Sequence, residues 1–442
     1  MSFLHQKSCE CVKTELDLFS IPPTQTSIES SKWVQYKPIS TLTDDSPIEF
    51  VVPGNGEEYT DLSQTMLEIT ASIVKGTTGA AIATDDEAKK IGPVNNWLHS
   101  LFSQVDVSMN QKLVTPQNNT YAYRAYIETL MNYGYDARKS HLTCGLWSAD
   151  HAGYMDHLED DNDGIKFRRK MTNKSREIDM VGHLHVDMCN QNKFLLNGVE
   201  LRFKLIRSKD AFAIMSENGA DVKVHIVDAN LWVRRCKVSP TVLLAHSKTL
   251  QTGTAKYPIT RVELKTFTLP SGVRSKTLDN VFLGQVPKRI IVGLVTNAAY
   301  NGELKKNPFN FQHFKTNYFS LYVDGEQVPS KPLTPHYEAA KSKYVMAYHS
   351  LFTGTGIHFS DSGNLINRDD YDNGYCLMAF DLTPDMSASD TTHWNLVRNG
   401  SVRMEIGFDD ALAETVNCLV YAEFDNVIEI DRHRNVNVDF GG

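Results

Sequence analysis

The feature that most constrains the fold is an internal repeat, because the second half of the chain repeats landmarks of the first half in the same order. A predicted hairpin with a proline stop covers residues 107–116, and its counterpart covers 321–329, where an Asp-Gly pair suits a type I′ turn. Apolar residues at helical spacing follow each hairpin, at 123–131 and 344–352. This order predicts a chain built from two similar units.

Two further landmarks close each copy of the repeat. An Asn-Gly turn is predicted to open a strand at Gly198 and again at Gly400, which lie 202 residues apart. A long pair of strands is then predicted around Asn230 and around Asn426, which lie 196 residues apart. The similar offsets indicate that the repeat covers whole domains.

Apolar and polar residues alternate along most of the chain, which is the period of half-buried antiparallel strands. The clearest example has Val199, Leu201, Phe203 and Leu205 on one face and charged residues between them. About eight such strands per unit, joined by long connections, favour a jelly roll. The predicted fold class is therefore all-β, with two tandem eight-stranded jelly rolls, short helices in the loops and an extended N-terminal arm.

The domain boundaries follow from where this alternation stops. Residues 1–45 show neither helical nor strand periodicity and contain Pro22 and Pro23, whereas Gly253 and Pro258 mark a break in the middle of the chain. The predicted parts are an N-terminal arm at 1–45, a first jelly roll at 46–240, a linker at 241–258 and a second jelly roll at 259–442.

Composition excludes several classes of function. The formal net charge of -8 argues against a surface built to neutralise phosphates, so no sequence-specific binding of nucleic acid is expected. The seven cysteines are scattered without CxxC spacing, which indicates reduced thiols rather than a disulfide framework. We expect neither a secretory leader nor a transmembrane segment, since the apolar run at 290–295 is far shorter than the roughly 20 residues that span a bilayer.

The strongest candidate for chemistry is the pair His183 and His185, because alternate residues of a strand place both imidazoles on one face. Cupins, which are also jelly rolls, bind metals with such a pair, but Asn190 and Gln191 stand where a cupin has a glutamate. We therefore expect no enzyme, no catalytic residue, no metal and no cofactor. Two alternatives stay open: a bicupin-like metal enzyme that uses His183 and His185, and a tandem β-sandwich binding module such as a lectin.

Several stretches of the sequence resemble the major capsid proteins of the Polinton/Maverick group, which includes the adintoviruses. The most distinctive lie at 16–19, 22–26, 95–104 and 121–134, and the resemblance covers almost the whole chain. It implies a hexon-like double jelly-roll protein whose homotrimers form pseudo-hexagonal tiles of an icosahedral shell around double-stranded DNA. The implied location is the virion, with synthesis in the host cytoplasm and assembly in the nucleus left open.

The resemblance also implies partners, namely neighbouring capsomers, a single jelly-roll penton protein and minor capsid proteins. The long polar stretches at 134–176 and 354–374 are then predicted to be towers or intersubunit contacts. The N-terminal arm is predicted to clamp a neighbouring subunit, since apolar and aromatic anchors dominate interface energies. The alternative is a frayed tail that packs on its own domain. The candidate contact residues are Leu18, Phe19, Pro22, Pro23, Trp33 and Tyr36.

Overall fold

Antiparallel strands dominate the computed structural model, which describes residues 4–43, 45–54, 56–159, 161–217, 220–338 and 342–438. The first half contains β1 (Ile28–Tyr36), β2 (Ile48–Val52), β3 (Tyr59–Lys75), β4 (Ile91–Pro93), β5 (Phe102–Met109), β6 (Lys112–Leu113), β7 (Ile178–His183), β8 (Leu201–Arg207), β9 (Ile214–Ser216) and β10 (Val222–Val238). The second half contains β11 (Ala255–Leu269), β12 (Ser275–Gln285), β13 (Arg289–Thr296), β14 (Thr316–Val323), β15 (Glu326–Leu333), β16 (Leu377–Asp381), β17 (Asn399–Phe408), β18 (Val416–Ile430) and β19 (Val436–Val438).

Helices occupy the connections between these strands. They are α1 (Asp85–Ala88), α2 (Trp97–Ser100), α3 (Tyr121–Asn132), α4 (Asp163–Thr172), α5 (Asp210–Ala213), α6 (Pro240–Thr249), α7 (Asn297–Asn301), α8 (Val345–Gly354) and α9 (Arg368–Tyr371). Short 3-10 helices lie at Thr14–Leu16, Ala137–Lys139, His141–Gly145, Asn173–Ser175 and Asp187–Asn190. In each half a longer helix, α3 or α8, follows the hairpin, as the repeat predicts.

The two halves of the chain share one sheet topology. The first half forms the sheets β1-β10-β3-β7 and β2-β8-β5-β6, and β4 pairs with β9 in a separate ribbon. The second half forms β11-β18-β13-β16 and β12-β17-β14-β15, and β19 pairs with the last residues of β18. When the ribbon and β19 are left out and the eight remaining strands of each half are numbered 1 to 8 along the chain, both halves have the strand orders 1-8-3-6 and 2-7-4-5. Two four-stranded sheets linked in this way form a jelly roll, so the predicted fold class is confirmed.

The predicted hairpins are also confirmed, and their turns show why. In the first, Met109 pairs with Lys112, and the two turn residues Asn110 and Gln111 have φ values of 45° and 69°. In the second, Val323 pairs with Glu326 across Asp324 and Gly325, whose φ values are 51° and 86°. Two consecutive positive φ values define the type I′ turn, whose twist matches that of the flanking strands.

The alternation predicted for β8 is confirmed as well. Leu201, Phe203 and Leu205 are buried between the two sheets of the first jelly roll, whereas Arg202 and Lys204 are exposed. A shift of one residue would exchange these two faces, so the hydrophobic pattern determines the register of the strand.

The predicted strand pairs around Asn230 and Asn426 are wrong, because each region is one continuous strand, β10 or β18. Asn230 does not make a turn: its Nδ2 donates to Glu68 Oε2 on the neighbouring strand at 3.1 Å. The second Asn-Gly pair opens a strand as predicted, since Asn399 and Gly400 are the first residues of β17, but Gly400 pairs with Gly284 in the sheet instead of forming a turn. Residue types that favour turns are accommodated here within strands by side-chain contacts and tertiary pairing.

The structure also places regular elements inside the predicted arm and linker. Strand β1 lies within residues 1–45, and all of α6 except its first residue, together with the start of β11, lies within 241–258. β1 pairs with β10 on one side only and is mostly exposed, so its sequence lacks the alternation of a half-buried strand. The part of the arm outside the sheets ends at residue 27.

Candidate assembly surface

Residues 4–27, called here the N-terminal segment, present apolar side chains to solvent. Leu18 and Phe19 are 77% and 97% exposed. The hydrogen bonds near them are local, such as the 3.1 Å bond from the Ser20 amide to Asp17 Oδ1. The exposed large apolar side chains of the segment are Leu4, Val12, Leu16, Leu18, Phe19 and Ile21. Several large exposed apolar side chains in one segment are typical of an interaction site.

The base of the N-terminal segment is fixed by Gln25. Its Oε1 accepts from the Ile28 amide at 2.8 Å, and its Nε2 donates to the Ile28 carbonyl at 3.0 Å. The Ser239 amide binds the Ser27 carbonyl at 2.9 Å. These bonds set the direction in which the segment leaves the sheet, and Pro22 and Pro23 restrict the backbone beyond them to extended conformations.

The six predicted contact residues lie in two different places. Leu18, Phe19, Pro22 and Pro23 belong to the exposed N-terminal segment, whereas Trp33 and Tyr36 belong to β1. Trp33 remains 44% exposed on that edge strand. Tyr36 is half-buried, and its hydroxyl accepts from Arg235 Nε at 3.3 Å. Tyr36 therefore helps to hold β1 on the sheet, and the other five are available at the surface.

A buried network of charges joins the two jelly rolls. Arg124 of α3 contacts Glu128 through Nε at 2.8 Å and Asp187 through Nη2 at 2.7 Å. The hydroxyl of Tyr421 on β18 donates to Glu128 at 3.3 Å, and the Val262 amide on β11 donates to Asp187 at 3.2 Å. Glu128 and Asp187, which belong to the first half, thus each accept a hydrogen bond from the second half.

Electrostatics keep Glu128 ionised although it is buried. Burial by itself raises the pKa of this carboxyl, but the Arg124 guanidinium and the hydrogen bond from His185 outweigh it and lower the pKa to about 2. The Asp187 carboxyl has the opposite balance, and burial raises its pKa despite the contact with Arg124. Arg124 is therefore the cation on which both buried carboxyls depend.

The two histidines predicted as candidate metal ligands bind different partners. His185 Nδ1 lies 2.7 Å from Glu128 Oε2 in the buried network, and its ring contacts that of His99 edge to face. His183 Nε2 lies 3.0 Å from Asn190 Oδ1. Burial lowers the pKa of His99 and of His183, which favours neutral imidazoles. Within the described ranges, no three His, Cys, Asp or Glu side chains are grouped to hold a metal ion.

The long connections at 134–176 and 354–374, predicted as towers or intersubunit contacts, contact each other. The Gly153 amide donates to the Asn373 carbonyl at 2.7 Å. Beside this contact, Asp150 is buried against Arg168 at 2.6 Å and accepts from Asn307 of the second half at 2.9 Å. The two connections are thus joined to each other and, through Asp150, to the second half of the chain. The sequence carries one sign of these internal contacts, namely the apolar pair Leu146 and Trp147 in an otherwise polar stretch, and both side chains are buried in the structure.

Several solved chains from viral capsids superpose on this chain over almost its whole length. A chain of the Sputnik virophage superposes with a TM-score of 0.63 at 12% identity, covering 100% of this chain and 95% of that one. A chain of the PBCV-1 virus capsid gives 0.60 at 10% identity, covering 96% and 100%. The mavirus major capsid protein gives 0.53 at 13% identity, covering 99% and 97%. The chain therefore has the double jelly-roll fold of viral major capsid proteins.

At the level of sequence, a relative occurs in Caenorhabditis elegans. This uncharacterized nematode protein is 26% identical over 431 residues, which are 95% of this chain and 99% of the relative. No protein-family model matches the sequence. In the part of the chain that the structure describes, no helix has the length and apolar character needed to cross a bilayer.

Proposed function

We propose that this protein is a major capsid protein, a non-enzymatic subunit whose homotrimers tile an icosahedral shell around a double-stranded DNA genome. The observation that carries the proposal is the shared strand order of the two halves. Three chains with two like sandwiches each place six similar units around a threefold axis, which approximates a hexagon. Such a trimer closes on itself by a repeated head-to-tail contact and still packs in a hexagonal lattice.

The proposal extends to the kind of virus. The sequence phrases at 16–19, 22–26, 95–104 and 121–134 favour the Polinton/Maverick group. The relative that matches 95% of this chain is encoded in an animal, and the proposal extends to that relative the same double jelly-roll fold. The proposed partners are neighbouring capsomers, a single jelly-roll penton protein and minor capsid proteins. The proposed location is the virion, after synthesis in the host cytoplasm.

We also propose domain boundaries that follow the sheets. The first jelly roll then covers 28–238 and the second covers 255–438, with α6 in the connection between them. The N-terminal segment precedes both and serves as the assembly contact. Residues that were assigned to the arm but lie in β1 belong to the first sandwich.

Deleting residues 1–26 is expected to leave trimers intact and to prevent closed shells. The deletion removes the exposed apolar side chains between Val12 and Ile21 but retains β1 and its pairing with β10. Loss of a cluster of interface anchors, each worth about 2 kcal/mol or more, weakens contacts between capsomers. Mass measurement of the trimer and electron microscopy of assembled particles check the two parts of the expectation.

A deletion of residues 1–10 is the matched control. It shortens the segment but keeps Val12, Leu16, Leu18, Phe19 and Ile21, so shells should form as in the full chain. Normal shells from the chain without residues 1–26 would contradict a role of the segment in assembly.

A further inference from the structure

We propose that a groove beside α6 is the receptor for the N-terminal segment of a second copy of this chain, with residues 15–19 as the docked part. The inference rests on the proposed function, since a second copy has to lie within reach. It adds the place at which the segment binds.

The groove lies between α6 and the first residues of β1 and β11. It has a volume of about 520 Å³ and is lined by Ile28, Phe194, Val238, Val242, Leu250 and Tyr257. Pockets that hold compact apolar groups are typically about 300–1,000 Å³. Tyr59 closes one side, where its hydroxyl lies 2.9 Å from His246 Nδ1 of α6. The groove is therefore a formed apolar depression with few polar atoms in its walls.

The docked part has the matching chemistry. Residues 15–19 read Glu-Leu-Asp-Leu-Phe, so two carboxylates alternate with apolar side chains. The rim of the groove carries Lys193, whose ammonium donates to the Lys256 carbonyl at 3.1 Å, and Lys256, whose ammonium pairs with Glu429 at 3.6 Å. Leu16 and Leu18, which lie on one face of an extended segment, fit the apolar walls, and Glu15 and Asp17 on the opposite face are placed towards Lys193. Complementary charge beside an apolar centre favours one position of the docked segment.

Geometry favours a segment from another subunit. Residue 27 lines the groove, so the chain's own segment starts there and would have to reverse its direction within residues 24–27 to return. Gln25 opposes this reversal through both of its bonds to Ile28. Pro22 and Pro23 then carry the chain away, and the eight residues back to Phe19 span up to about 26–29 Å when extended. In the single chain Phe19 stays 97% exposed while its own groove is open.

Cross-linking with mixed subunits tests the inference. The exposed thiols Cys9, Cys11 and Cys144 are first replaced by serine. One tagged chain then carries Ser20→Cys, directly after the docked part, and a second, differently tagged chain carries Thr249→Cys at the groove. The two are assembled together and treated with a short bismaleimide. A covalent product that carries both tags can arise only between two chains.

The expected yield of this mixed product is at least about tenfold above that of a control pair with Leu244→Cys, because docking raises the local concentration of the thiol towards millimolar values. Leu244 is on the same helix but is 71% exposed and outside the groove. Adding Val242→Asp in the groove should abolish the excess, whereas Leu244→Asp should leave it unchanged.

Mass measurement of the same samples separates this inference from the proposed function. Assembled particles without the mixed product would overturn the groove as receptor and leave the capsid function standing. A third variant carries both cysteines in one chain, and a link that forms within this chain but never between differently tagged chains would overturn docking between subunits. A sample without any oligomer would contradict the capsid function itself and, with it, the inference.

Discussion

Replacing Arg168 with methionine is expected to lower the free energy of unfolding by about 3–5 kcal/mol, as is usual when one partner of a buried ion pair is removed. The side chains of Arg168 and Asp150 are both 0% exposed, and Nη2 lies 2.6 Å from Asp150 Oδ1. Arg168 Nε also donates to the Pro93 carbonyl at 3.0 Å, and Nη1 binds the Ser148 carbonyl. The variant leaves the Asp150 carboxylate buried without its cation. Urea unfolding followed by tryptophan fluorescence measures the change.

Two controls belong to this experiment. Lys315→Met removes an exposed ion pair with Asp410, which is expected to change stability by less than about 1 kcal/mol. Arg168→Met combined with Asp150→Asn removes both charges and should recover part of the loss. A single variant Arg168→Met as stable as Lys315→Met would show that the pair does not hold the long connections of the two halves together.

Replacing Arg124 with methionine is expected to lower the free energy of unfolding by a similar amount, about 3–5 kcal/mol at pH 7. It is also expected to weaken the contact between the jelly rolls. Glu128 and Asp187 are both buried and both lose their cation. Urea unfolding measures the stability. Proteolysis within the connection at residues 239–254 reports the contact, because jelly rolls that separate expose this connection more often.

The same variant should have a characteristic pH dependence. The pKa of Glu128 is lowered to about 2 in the folded protein, so its contribution to stability is present above its usual value near 4.5. That contribution is lost as the pH falls from 4.5 towards 2. The difference in stability between the native chain and Arg124→Met is therefore expected to shrink over this range. A difference that stays constant from pH 7 to pH 3 would contradict the assigned role of Arg124.

Local chemistry explains which parts of the fold the sequence predicts. The Asp324-Gly325 turn and the alternation in β8 depend on residues next to each other in the chain, and both are confirmed. Strand β1 depends on pairing with β10, some 200 residues away, and its exposed face carries no pattern. The buried charge network around Arg124 also depends on residues that are far apart in the sequence. From their i,i+4 spacing alone, Arg124 and Glu128 would be taken for an ion pair on an exposed helix face. In the structure both are buried, and the Tyr421 hydroxyl of the second half donates to Glu128.

The candidate assembly surface likewise has one part that the sequence predicts and one part that only the tertiary structure shows. Leu18 and Phe19 were identified because apolar residues in a segment without periodicity need a partner outside it. The groove could not be predicted, since Phe194, Val242 and Tyr257 come from three separate stretches that only the tertiary fold brings together.

The central claim is that two like sandwiches per chain allow three chains to form a pseudo-hexagonal tile. The most direct test is the solution mass of the purified protein, combined with negative-stain images of the same sample. Three chains of 49.8 kDa predict a particle of about 149 kDa with a hexagonal outline. A species that remains at 49.8 kDa at all concentrations would contradict the claim.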